Sequence, residues 1–142
     1  VHGAMFAMLP PGGKLGAQLK TVATIMHSGD KLPLVAVGAR MSDAIAMMTA
    51  KGFGCVVIVD AHGKLAGIIT DGDLRRNSGS SLGDKLVDDV MTRAPTTVQP
   101  TDLVADALEL VETRKHMALI VIDAARPVGL VHVLDLLRAG AA

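Results

Sequence analysis

Aromatic side chains are almost missing from this chain: Phe6 and Phe53 stand without a single Tyr or Trp. That absence argues against base-stacking platforms for single-stranded nucleic acid and against stacked sugar sites. Only one cysteine, Cys55, is present, so no internal disulfide can form. It adjoins the apolar run Val56-Val57-Ile58-Val59, which reads as a buried structural thiol rather than a nucleophile with a neighbouring base. Charge of one sign is not in excess, with 14 basic against 14 acidic residues, so a general nucleic-acid binder is not expected. No apolar stretch approaches the roughly 20 residues that span a bilayer, and no apolar segment after Lys14 or Lys20 resembles a signal peptide. Phosphate-loop and nucleophile-elbow motifs are absent, and the glycine-rich Pro11–Gly16 follows no strand. His2, His27 and His62 lack ligand spacing to one another or to Cys55, so no metal site is expected. No catalytic constellation emerges. What remains is a chain of 142 residues, half of them hydrophobic, with a core to be built from Val, Ile, Leu, Ala and Met. It begins with Val rather than Met, and is expected to be an excised or processed piece.

The main positive signal is an internal repeat. Val22-Ala23-Thr24-Ile25-Met26 returns as Val87-Asp88-Asp89-Val90-Met91. Asp43-Ala44-Ile45 returns as Asp106-Ala107-Leu108, and Val57–Ala61 as Ile120–Ala124. Gly67 matches Gly129, Asp73-Leu74 matches Asp135-Leu136, and Arg76 matches Arg138. Each copy reads β-α-β-β-α. A strand at Val35–Val37 precedes an apolar helical stripe of Met41, Ala44, Ile45 and Met48, matched later by Val104, Ala107, Leu108 and Val111. Thr101 is the expected N-cap of the second stripe, with Asp102 in its first turn. Strands at Cys55–Val59 and Leu65–Ile69 flank the turn Asp60–Gly63, and Ala118–Ile122 with Val128–Val131 repeat that hairpin. Short helices follow at Asp71–Arg76 and Val133–Arg138. The fold class is therefore α/β (α+β), with two copies expected to pack sheet to sheet as a pseudo-two-fold pair. The expected divisions are 1–19 as a linker or appended segment, 20–77 as the first repeat, 78–83 as a linker, and 84–142 as the second repeat.

Clefts at such a seam suit a small ligand. In Gly67–Leu74 a strand runs into a helix start. Thr70 can offer a hydroxyl beside free backbone N–H groups that suit phosphate, and Asp73 can accept both hydroxyls of a ribose. The same residues can equally be a helix cap with a solvated first-turn acid. Asp71 would repel phosphate and is expected to turn away. In the second copy Asp135 matches Asp73, but His132 replaces Thr70. His132, or His116 just before a strand, could meet an anion when protonated. The apolar stripes exceed what sheets this small can cover, which implies association through helices.

The repeated unit ending in Gly-x-x-Thr-x-x-Asp resembles the CBS domain, and two in tandem resemble a CBS pair, or Bateman module. Ile25–Asp30, Thr70–Arg76 and Asp135–Gly140 further resemble the C-terminal half of bacterial D-arabinose 5-phosphate isomerases, sugar isomerases of the Kdo pathway. Gly12–Gly16 resembles the junction after their sugar isomerase domain, but Pro10 stands where that family has a catalytic His before Pro-Gly-Gly. The resemblance implies a regulatory nucleotide-sensing module attached to a sugar isomerase domain that is itself missing, so the fragment should not isomerise sugars. It implies no cofactor, a cytoplasmic location, a homo-dimer or homo-tetramer, and neither nucleic acid nor membrane as partner. Thr70 and Asp73 would hold phosphate and ribose, Asp135 a second ribose, and Leu34 and Val35 the base. His132, His116, Arg75 or Arg76 would meet a phosphate or carboxylate. The ligand would be the pathway end product CMP-Kdo or an adenosine nucleotide such as AMP or ATP. A ligand-free module that drives oligomerisation, and a module that closes over the isomerase active site, remain as alternatives.

Overall fold

A computed structural model describes residues 20–79 and 81–141; the Pro10–Gly16 junction lies outside them. Strands β1 (Leu34–Ala36), β2 (Cys55–Val59), β3 (Leu65–Thr70) and β4 (Thr92–Arg93) form one sheet in that order. Strands β5 (Thr97–Val98), β6 (Ala118–Asp123) and β7 (Arg126–His132) form the other. Within each sheet the first pair is parallel and the hairpin antiparallel. The helices are α1 (Met41–Lys51), α2 (Asp71–Arg76), α3 (Val87–Val90), α4 (Val104–Arg114) and α5 (Val133–Ala141).

Local chemistry accounts for most of these elements. Helix α1 stops at Gly52, whose φ of 77° closes the last turn in the left-handed region. Its counterpart α4 stops at Lys115, a non-glycine residue at φ 59°. The β2–β3 turn is held by the Asp60 carboxylate, which accepts from the backbone N–H groups of His62 and Lys64 at 2.8 and 2.9 Å. Those bonds hold the Asp60 carboxyl below the usual carboxylate range, the Lys64 N–H foremost. Helix α4 starts later than expected: Leu103 is its N-cap, and Asp102 instead accepts from the Gln99 N–H at 2.8 Å. Thr101 is therefore not the cap.

The repeats exchange their leading segments. Thr21 bridges to Leu103, and Val22 N–H donates to the Asp102 carbonyl at 2.8 Å, so Val22 is buried in the second repeat's core with Val104, Leu119 and Leu136. Reciprocally, Arg40 bridges to Leu86, and Val87, Val90 and Met91 are buried in the first repeat's core with Met41, Ile58 and Ile69. A third cluster of Leu32, Cys55, Val57, Ile120 and Leu130 joins the two sheets face to face. Fully burying a single aliphatic side chain contributes about 1.5–3 kcal/mol, so these exchanged residues bind the repeats firmly.

The apolar stripes are covered in large part within the one chain. Met41, Ala44 and Met48, and Val104, Ala107 and Val111, are buried, while Ile45 and Leu108 of the same stripes are half-buried. The exchanged segments supply cover that a single repeat lacks, so the stripes argue for association only through Ile45 and Leu108. The exposed large apolar residues lie elsewhere, at Leu86, Leu103, Met117, Leu134 and Leu137.

The glycine pair repeated in the sequence has a structural cause. β4 lies on β3 with Gly67 opposite Arg93. A Cβ on Gly67 would sit 2.8 Å from both the Thr92 carbonyl oxygen and the Met91 sulfur. A Cβ on Gly129 would strike Met26 and stand 3.1 Å from the His27 carbonyl oxygen. Gly67→Ala is expected to destabilise the protein by about 1–3 kcal/mol, the usual cost of overpacking. Urea unfolding at equilibrium checks this, and an unchanged midpoint would contradict the close approach of β4.

Candidate functional site

A cavity of about 950 Å³ opens between the repeats. The first repeat contributes Phe53, Gly54, Cys55, Ile68 and the whole Thr70–Arg76 turn. The second contributes Thr92, the Ala94–Thr96 loop, the Lys115–Ala118 segment and His132. Of the residues singled out from the sequence, the cavity gathers Thr70, Asp73, Arg75, Arg76, His116 and His132.

Thr70 and Asp73 form a reciprocal cap at the start of α2. One Asp73 carboxylate oxygen accepts from the Thr70 N–H at 2.9 Å and from the Thr70 hydroxyl at 3.2 Å. The other accepts from the Arg76 guanidinium at 2.5 Å. Asp73 is buried, 5% exposed, and its charge is met by these three donors. Both readings of this stretch are thus compatible with the geometry, since the cap faces into a cavity. The Thr70 hydroxyl bonds are long, with Asp73 N–H donating to it at 3.4 Å. Little therefore holds the hydroxyl where it is.

Asp71 does not turn away. It lines the cavity, with its carboxylate over Gly54. Burial first, and then the Asp71 charge, push the Cys55 thiol up to about 12. The reading of Cys55 as a buried structural thiol agrees with this. Across the cavity, His116 and Thr96 hydrogen-bond through Nε2 and Oγ1 at 3.0 Å. His132 Nδ1 accepts from the Leu134 N–H at 3.1 Å, so its other nitrogen carries the proton of the neutral ring. Arg75, Arg76 and Lys115 are exposed at the rim, and among the described residues only Arg76 of the three is paired, to Asp73.

Leu34, Val35 and Asp135 are not brought to this cavity. Leu34 packs into the cluster between the sheets, and Val35 packs with the first repeat's core. Because the leading segments are exchanged, the loop facing Thr70 and Asp73 is the second repeat's Ala94–Thr96 rather than the first repeat's own. Asp135 lies in the pseudo-symmetric cleft, where His27 Nε2 meets its carboxylate at 3.0 Å. Met117, which its composition class suggests as core filler, is instead exposed at the cavity wall. Phe53, Thr96 and Lys115 escaped the sequence reading. Their one signal was position: Phe53 and Lys115 sit just before the strand of each repeat that leads into the hairpin.

The CBS domain family model matches residues 21–80 and 87–142, once per repeat. The chain belongs to the CBS domain family, as a tandem pair. Among curated proteins it is 48% identical over 139 residues to the arabinose 5-phosphate isomerase KdsD of Pseudomonas aeruginosa. It is 44% identical over 138 residues to KdsD of Yersinia pestis. Each alignment takes in 95% of this chain, but the chain spans only 43% and 42% of those relatives' lengths. Among solved structures it is similar to CBSX2 in complex with AMP, at 26% identity and a TM-score of 0.73, covering 84% of this chain and 94% of that one. A CBS-domain containing protein from Agrobacterium tumefaciens shares the fold at 20% identity and a TM-score of 0.76, covering 93% of this chain and 98% of that one. Among the described residues no helix is long and apolar enough to cross a membrane.

The Cys55 environment carries its own expectation. The thiol should resist alkylation by iodoacetamide at pH 8 in the folded protein, because the thiolate is the reacting species and the folded site disfavours it. Labelling should follow global unfolding in urea. Rapid labelling of the native protein would contradict the burial found here.

Proposed function

We propose that the cavity is a nucleotide-sensing site and that the chain is the regulatory CBS pair of a D-arabinose 5-phosphate isomerase. The observation that carries this is the placement of a buried carboxylate, Asp73, beside a loosely held hydroxyl, Thr70, in a 950 Å³ cavity rimmed by cations. In this reading a ribose diol displaces the Arg76 guanidinium, which is two-thirds exposed at 68%, and bonds to Asp73. The Thr70 hydroxyl turns to a phosphate oxygen, and the base lies against Ile68, Pro95 and Met117 at the cavity wall. Arg75, Arg76 and Lys115 stand at the rim against Asp71 and Asp73, and His116 and His132 add hydrogen-bonding nitrogens. CMP-Kdo would present two acidic groups to those three cations, its phosphate and its sugar carboxylate. An adenosine nucleotide is the second reading, supported by AMP in the CBSX2 complex. The attached isomerase, its inhibition or activation by the ligand, and a cytoplasmic setting belong to the same proposal. The ligand-free alternative accounts for the Thr70–Asp73 cap but leaves the cavity and its rim cations without a role.

Thermal shift with CMP-Kdo, CMP, AMP and ATP tests the reading. A ligand at about 100 times its Kd adds roughly 2.7 kcal/mol to stability. For a domain of this size that is on the order of 5 °C in Tm. No shift beyond a degree for any of the four would overturn the sensor reading. Asp73→Ala should weaken the binding about 10- to 100-fold in calorimetry, since hydrogen bonds to a charged acceptor contribute about 1.5–3 kcal/mol. Undiminished affinity would remove Asp73 from the site.

We propose association into a dimer or tetramer as well, now through the exposed Leu134 and Leu137 of α5 rather than the largely buried stripes. Light scattering at tens of micromolar should give at least twice the chain mass of 14.7 kDa. A monomer mass would overturn this part alone, because the cavity is formed within one chain.

A further inference from the structure

The two hairpin ends place matched residues around Asp73 and Asp135, and a position-by-position match reveals a difference. Thr70 pairs with Cys55 across the first hairpin, and His132 with Ala118 across the second. Asp73 and Asp135 each lie three residues further on. Thr92 lies opposite Ile68, and its counterpart His27 lies opposite Leu130, because each leading segment crosses to the other repeat. In the first cleft the Asp73 carboxylate takes its side-chain hydroxyl bond from Thr70. His132 has no hydroxyl to give. Asp135 keeps only the equivalent backbone bond, from His132 N–H at 2.9 Å. The donor that replaces the hydroxyl is the imidazole of His27, whose Nε2 stands 3.0 Å from the same carboxylate oxygen. The His27 ring is backed by Phe53, with centroids 4.8 Å apart and planes tilted by 51°. The Arg138 guanidinium stands 3.8 Å from the other oxygen.

We infer that His27 is an internal occupant of the second cleft, holding Asp135 where a ligand would have to bind, so that the chain takes up one ligand rather than two. The inference rests on the nucleotide reading of the first cleft and adds its stoichiometry. A tethered group that packing also holds in place competes at a high effective concentration. His27 is such a group, 30% exposed and backed by the Phe53 ring. In the first cleft the tethered group on Asp73 is Arg76, at 2.5 Å, but its side chain is 68% exposed and can turn to solvent. Thr92 there is short, and His116, the counterpart of Phe53, is turned to Thr96.

Reciprocal substitutions test this by titration calorimetry with AMP and with CMP-Kdo on the full 142-residue chain. The wild type should bind one equivalent. His27→Thr, which copies Thr92, should bind two, and adding Asp135→Asn should return the count to one. Thr92→His should place an imidazole opposite Asp73 and weaken the remaining site by at least about tenfold. It keeps the inference testable should His27→Thr fail to fold. Two equivalents in the wild type, or one in a folded His27→Thr protein, would overturn the inference and leave the first-cleft reading intact. An unweakened site in Thr92→His would overturn it too. No binding by any of these proteins would overturn the nucleotide reading, and this inference with it.

Discussion

The rest of this structure depends on the exchange of leading segments between the repeats. Val22 completes the second repeat's core, while Val87, Val90 and Met91 complete the first. Neither repeat can close its own apolar interior, and a unit of about 60 residues is already marginal alone. The exchange therefore does two things at once. It makes the pair one cooperative body, and it carries the Thr92–Thr96 segment across to face Thr70 and Asp73. The cavity between the repeats follows from the way the cores are completed.

Two glycines permit that crossing. Gly67 and Gly129 are the points where a strand of each repeat receives the other's leading segment at backbone distance. Any side chain there would hold the segment off the sheet. The loss would reach beyond packing, because the same segment bears the cavity wall. Stability and site geometry are thus set by the same contacts.

Pseudo-symmetry is broken at the two matched carboxylates. A threonine at the first hairpin's end and a histidine at the second's lead to opposite outcomes for matched carboxylates. Asp73 is capped by its own neighbour and faces a cavity, whereas Asp135 is bonded by a residue from the distant leading segment. Rim charge follows the same division. Arg75 and Arg76 from one repeat meet Lys115 and His116 from the other around the first cleft. Such asymmetry suits a module whose repeats share a fold but divide the tasks of binding and bracing.

The secondary structure was largely legible in the sequence because it rests on local chemistry. Asp71–Arg76 is a helix at the bounds the cap predicts, and Cys55–Val59 with Leu65–Thr70 make the expected hairpin. The repeat arithmetic identified the pair, and the Thr-x-x-Asp turn singled out Thr70 and Asp73, since both signals lie within a few consecutive residues. Where the sequence reading went astray, the answer depended on partners far along the chain. Leu34 and Val35 were expected at the site from the resemblance alone, yet they are half-buried against the sheet interface and the first core, and the exchange brings Ala94–Thr96 to the cavity instead. The apolar stripes looked uncovered because the segments that cover them belong to the other repeat. Composition and periodicity determined what each segment would become. Only tertiary structure decided which carboxylate faces a cavity and which is held by His27. The His27–Asp135 contact joins residues 108 positions apart, and no local pattern encodes a bond of that span.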